Sequence, residues 1–244
     1  MKAHGATDIG MERSVNQDFV FCKSEPVGNL PNLFIVADGM GGHKAGDVAS
    51  RSAVTTFIEY VLSTKDTNPI TIMDEGIRLA NATLIQKAAA NPDYAGMGTT
   101  MVISVVTEDH IYIANVGDSR LYLIDDSIRQ ITRDHSLVAE MVSMGELNKT
   151  SARHHSKKNI ITRAVGGEKN VIPDFFEVEY NHGDRILMCS DGLTNMVDEA
   201  VIRQIVLNNP NVEDAVDGLV AEANRNGGKD NISVILVQTQ YDSM

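Results

Sequence analysis

The sequence predicts an α+β fold in which antiparallel sheets lie between helical layers. Two observations carry that prediction. Short apolar runs rich in β-branched residues, each closed by a tight polar turn, recur along the chain as strand candidates. Stretches with helical spacing come in two pairs, one before and one after the main run of strands. No repeat, low-complexity tract or Pro/Ser linker interrupts the chain, so one domain over residues 1–244 is expected.

The elements follow in order. Residues 3–10 and 17–23 read as two strands around the polar turn 12–16. Residues 33–37 form an apolar run, a buried strand that stops at Asp38 and is followed by Gly39, Gly41 and Gly42. Residues 45–64 read as a helix, with Ala53-Val54, Phe57-Ile58 and Val61-Leu62 as its apolar stripe. A second helix is expected over 69–90, with Ile77, Ala80, Leu84 and Ala88 on one face. Pro69 suits its first position and Asn91-Pro92 its stop. The period then changes to two. Strands at 101–106, 110–115 and 120–124, joined by short polar turns, make an antiparallel meander. Residues 136–145 look helical. Residues 146–158 lack periodicity, are rich in Lys, Arg, His and Ser, and read as an exposed excursion. Strands at 175–180 and 185–190, helices at 198–207 and 212–225, and a strand at 231–239 complete the chain.

Composition narrows the function. A net charge of −12 argues against a nucleic-acid binder and against docking on anionic membranes, since both demand a basic face. Cys22 and Cys189 both sit in strand-like runs and are expected as buried, reduced thiols, which fits a reducing cytoplasm. The N-terminus has no apolar signal core and no run reaches ~18 apolar residues, so a cytoplasmic protein without membrane insertion is expected.

The chemistry lies at the strand ends. Asp38, Asp118, Asp191 and Asp230 each border an apolar run, at its end or just before its start. One Asp beside Gly is usually a turn residue. Four in matching context make sense if they converge on hard cations, because clustered carboxylates otherwise repel one another. Oxygen ligands suit Mg²⁺, Mn²⁺ or Ca²⁺, and neither a Cys-x-x-Cys pair nor a His-Glu-x-x-His motif is present for zinc. The local calcium-loop pattern is also missing, so the site is assembled from distant segments. Arg13, beside Asn16, Gln17 and Asp18, is either a salt-bridge partner or a bidentate clamp for phosphate. Cys189 lacks the Arg of a cysteine phosphatase, Gly227-Gly228-Lys229 is followed by Asp rather than Ser or Thr, and no Gly-x-Ser-x-Gly elbow occurs. A metal-activated water is the nucleophile that remains.

Six segments together resemble the PP2C-type metal-dependent protein serine/threonine phosphatases, in their compact bacterial form. They are residues 13–18 (RSVNQD), 36–42 (VADGMGG), 98–100 (GTT), 115–120 (NVGDSR), 190–193 (SDGL) and 229–233 (KDNIS). Each alone is weak, but all six stand in the family's order.

The resemblance implies a four-layer α-β-β-α sandwich, two stacked antiparallel sheets flanked by helix pairs, with a flap at about 136–165. It implies two core Mn²⁺ or Mg²⁺ ions and a third, weaker one. Asp38 would bridge the core pair, with the Gly39 carbonyl on one ion and Asp191 and Asp230 on the other. Asp18 would act on the Gly39 side, directly or through water, and Asp118 would join Asp191 at the third ion. Arg13 would grip the phosphate while water activated between the core ions attacks phosphorus in line. The partners implied are phosphorylated proteins, a Ser/Thr kinase and its substrates among them, acted on by a monomeric enzyme.

Two positions depart from the family pattern. Met40 stands where many members carry His as the acid for the leaving alkoxide, which makes His43 a candidate; it reads equally well as a surface residue of the glycine loop, and a metal-bound water could serve instead. Gln17 stands where others carry Glu, so metal contact there falls to Asp18. In the excursion, the basic run 153–158 could recruit phosphopeptides or acidic partners, or be a solvated loop. Two rival functions remain at this stage: a phosphatase for small stress or sporulation regulators, which usually carries extra sensory domains, and a catalytically dead phosphoprotein binder, which should have lost aspartates.

Overall fold

In a computed structural model, residues 1–42, 45–148, 151–152 and 155–239 are described. The strands are β1 Lys2–Asp8, β2 Asp18–Lys23, β3 Leu33–Met40, β4 Gly98–Thr99, β5 Met101–Val106, β6 His110–Val116, β7 Arg120–Ile124, β8 Ile128–Gln130, β9 Asp174–Glu179, β10 Arg185–Cys189 and β11 Ile232–Gln238. The helices are α1 Ala45–Ser63, α2 Pro69–Ala90, α3 Leu137–Ser143, α4 Asp191–Thr194, α5 Glu199–Asn208 and α6 Val212–Arg225.

Alternation along the strands builds the layers. One sheet runs β1-β11-β10-β7-β8 and the other β2-β3-β5-β6-β9, with β4 added to the end of β3. Every pairing is antiparallel. On β3, Phe34 and Val36 face the other sheet, where they meet Leu121, Leu123, Ile186, Met188, Ile235 and Val237. Their neighbours Leu33, Ile35 and Ala37 face outward and pack with Phe57, Val61, Ile77 and Leu84 of α1 and α2. The second sheet does the same: Leu187, Cys189, Val234 and Leu236 turn outward to Ile202, Val206, Val216 and Leu219 of α5 and α6. Three apolar interlayers therefore separate four layers, which is the expected α-β-β-α sandwich. Central strands read as unbroken apolar runs because both of their faces are covered. Each fully buried Val, Leu, Ile or Phe contributes about 1.5–3 kcal/mol.

Local signals set the ends. Asn68 caps α2, accepting the Ile70 and Thr71 N–H groups at 2.9 and 3.2 Å, and Pro69 opens the helix. Gly76 lets α2 press on α1, since a Cβ there would lie 2.6 Å from Phe57 Cδ2. β1 stops at Asp8, two residues short of expectation, because its carboxylate accepts the Gly10 N–H at 2.8 Å and turns the chain. Similarly, α3 is shorter than 136–145: Ser136 caps its start, and Gly145, at φ +76°, follows its end.

In the excursion, residues 151–152 are helical, while Arg153 and His154 of the basic run lie outside the described residues. Both cysteines are free; Cys189 is buried as expected, but Cys22 only in part. Among the described residues no helix is long and apolar enough to cross a membrane.

Candidate metal and phosphate site

The carboxylates gather at one end of the sandwich because strand register puts them there. Asp18 opens β2 directly opposite Asp38 on β3. Asp38 is held through its backbone: its N–H donates to Thr100 Oγ1 at 2.9 Å, and its carbonyl accepts from Thr100 N and Thr99 Oγ1, each at 2.9 Å. Gly39 donates its N–H to the Gln17 carbonyl at 3.1 Å. A side chain at Gly39 would collide with the Gly46 carbonyl, its Cβ only 2.0 Å away, so the backbone beside Asp38 must be bare.

The other sheet supplies the facing groups. Asp191 begins α4 just after β10, and Asn195, one turn on, donates to its Oδ2 at 2.8 Å. Ser190 donates its hydroxyl to Asp18 Oδ2 at 2.8 Å and accepts the Ser233 N–H at 3.0 Å, tying the two sheets together. Asp230 sits just before β11, accepting the Asn231 N–H at 2.8 Å and the Arg13 guanidinium at 2.9 Å. Asn231 pins the Arg13 loop by donating to the Ile9 and Val15 carbonyls at 2.9 and 3.1 Å and accepting the Gln17 N–H at 2.8 Å. Asp118 is buried in the turn between β6 and β7.

This crowding has an electrostatic signature. Burial, with Asp191 and Asp230 repelling it, pushes Asp18 up to about 7 despite the hydroxyls of Ser233 and Ser190 beside it. Burial pushes Asp191 up to about 6, with Asp230 adding to the rise. Asp38 is raised well above the carboxylate range by burial and then by Asp18, Asp191, Asp118 and Asp230; Asp118 is raised by burial and then chiefly by Asp191. One oxygen each of Asp18 and Asp191 is buried without a hydrogen-bond partner. Among the described residues no group of three His, Cys, Asp or Glu side chains is closed into a ligand cage. The carboxylates lie in one another's field, and each raises its neighbours. Orphaned oxygens, raised acids and an all-oxygen donor set fit a hard divalent cation.

The structure thus brings together Asp18, Asp38, Gly39, Asp118, Asp191, Asp230 and Arg13. Arg13 is half exposed and currently a salt-bridge partner. His43 lies outside the described residues. Gln17 is a structural joint: its backbone carbonyl also accepts the Ser50 hydroxyl at 2.6 Å, and its side chain lies against Gly46.

Sequence reasoning missed Ser190, Asn195 and His135. Asn195 had a usable signal, four residues after Asp191 on a helix. Lys158 of the excursion donates to Asn195 Oδ1 at 2.9 Å and so reaches the site at second hand.

Comparison with known proteins bears on the family and the fold. Residues 11–231 match the family described as Protein phosphatase 2C. The chain is 40% identical over 250 residues to the serine/threonine phosphatase stp of Listeria innocua, covering 98% of this chain and 96% of that protein. The structure of the serine/threonine phosphatase Stp1 from Staphylococcus aureus superposes with a TM-score of 0.92 at 36% identity, covering 98% of this chain and 95% of that one. The catalytic domain of the phosphatase PstP, in complex with two manganese ions, superposes with a TM-score of 0.87 at 30% identity, covering 98% of each chain.

Proposed function

The chain belongs to the protein phosphatase 2C family and is a phosphoprotein phosphatase, and from that premise we propose how its residues divide the work. The substrates are proteins phosphorylated on serine or threonine, among them a bacterial Ser/Thr kinase and that kinase's targets. The protein acts as a cytoplasmic monomer, one domain with a flap at about 136–165.

Asp38, the Gly39 carbonyl, Asp191 and Asp230 would together hold two core ions, Mn²⁺ or Mg²⁺. Asp18 would act on the Gly39 side, and Asp118 would help Asp191 to hold a third, weaker ion. The observation that carries this reading is the set of buried carboxylates raised by burial and by one another at one end of the sandwich. When bound, the ions supply an acidified water near neutral pH and neutralise charge on the phosphoryl group.

The chain's own residues do the rest. Arg13 grips phosphate oxygens with its fork of N–H donors, a planar match that lysine could not make. Its half-exposed position on a pinned loop lets it turn from Asp230 toward a substrate. Thr99 and Thr100 fix the Asp38 backbone, and Asn195 fixes the rotamer of Asp191. Met40 cannot donate a proton to the leaving alkoxide, so His43 is the candidate acid.

A dead phosphoprotein binder is disfavoured because all five aspartates are present. The test is hydrolysis of p-nitrophenyl phosphate and a phosphothreonine peptide by the purified protein with Mn²⁺. Activity lost with EDTA and with Asp191→Ala supports the reading. No hydrolysis of either substrate removes it.

A further inference from the structure

His135 lies between β8 and α3, is only 5% exposed, and has no part in the chemistry above. Its backbone N–H donates to the Gly117 carbonyl at 3.0 Å, and its Nδ1 accepts the Gly117 N–H at 3.1 Å. Its carbonyl accepts the Thr162 N–H at 2.9 Å. Nε2 lies 3.3 Å from Asp174 Oδ2, too poorly aligned for a full hydrogen bond, and Arg163 holds the other oxygen of Asp174 at 2.7 Å. Ser136 bridges to Ile161, and Leu137 donates to the Ile160 carbonyl at 2.9 Å. The two stems of the flap therefore pair through the backbone of residues 135–137.

The residue it clasps is the one before Asp118. Gly117 sits at φ +105°, and a Cβ there would lie 2.5 Å from Thr100 Cγ2. The turn is thus pressed against the same threonine that holds Asp38. The Gly117 N–H points inward, and a buried N–H left without an acceptor is costly. The imidazole at 135 meets that need, from a residue whose own backbone pairs with the far stem of the flap.

We propose that His135 is a positioning residue for the Asp118 carboxylate, joining the β6–β7 turn and the flap stems into one unit. The proposal rests on the reading of Asp118 as a ligand of the weaker ion. A residue that merely filled space would lower stability without singling out one metal site.

The test is calorimetric titration of the metal-free protein with Mn²⁺. His135→Leu is expected to weaken the weaker ion roughly tenfold, as loss of a ligand's support does, while the tighter binding stays unchanged. His135→Asn, whose amide oxygen can stand where Nδ1 stands, is expected to recover the loss. A folded His135→Leu protein with unchanged weak binding overturns the proposal, as does a His135→Asn protein equally impaired. Should His135→Leu not fold, the unsubstituted protein decides by NMR during a Mg²⁺ titration. The Asp118 carboxylate, the Gly117 amide and the His135 ring nitrogens should shift at one Mg²⁺ concentration. Asp118 shifting alone overturns the proposal. An Asp118 that ignores metal removes the ligand reading, and the proposal with it, even where Mn²⁺-dependent hydrolysis upholds the enzyme.

Discussion

The Asp38 shelf and the 146–158 excursion sit at opposite extremes of the same site. Asp38 is fixed by a strand ladder, two threonines and apolar layers on both faces of its strand. Among the described residues the excursion reaches the site through Lys158, which donates to Asn195 and whose charge also bears on the Asp191 carboxylate. Held groups can be forced into mutual repulsion; loosely held ones cannot, because they would move away. The shelf can therefore store the electrostatic tension that a cation would relieve.

Substitutions on the shelf should have the largest effects. Asp38→Asn is expected to reduce p-nitrophenyl phosphate hydrolysis to background. It should also raise the melting temperature of the metal-free protein at pH 7, since a buried carboxyl that resists ionisation is replaced by a neutral amide. Loss of activity with loss of fold would break the comparison.

At the edge of the shelf, Arg13→Ala should lower kcat/KM on the order of 10²-fold, the usual cost of one donor to a reacting oxyanion. Asn195→Ala should weaken Mn²⁺ binding roughly tenfold by calorimetry, because Asp191 loses the donor that orients it.

The tension itself has a pH signature. Burial and neighbouring carboxylates push Asp18 up to about 7 and Asp191 up to about 6, above the ordinary aspartate range of about 4. Between those values the folded state holds more protons than the unfolded one, so metal-free stability should fall as pH rises from about 4 to 7. Denaturant unfolding across that range checks the slope, which saturating Mn²⁺ should flatten. On the excursion, Lys157→Ala should raise KM about threefold for an acidic phosphopeptide and leave p-nitrophenyl phosphate unaffected, as befits an exposed charge.

Legibility in the sequence follows the same divide. α2 was readable to the residue because Asn68-Pro69 and Asn91-Pro92 punctuate it. The aspartates were readable because each borders an apolar run. β4, β8 and α4 were not, since two, three and four residues are too few to show a period. Ser190 and His135 went unseen because their importance lies in partners far along the chain, Asp18 and Gly117, which no local pattern announces.

The central claim is that aspartates from distant segments hold hard cations at one end of the sandwich. Anomalous diffraction from crystals grown with Mn²⁺ tests it most directly. The account predicts manganese peaks bounded by Asp18, Asp38, Asp191 and Asp230; crystals of active protein with no peak there, or with manganese only elsewhere, would contradict it.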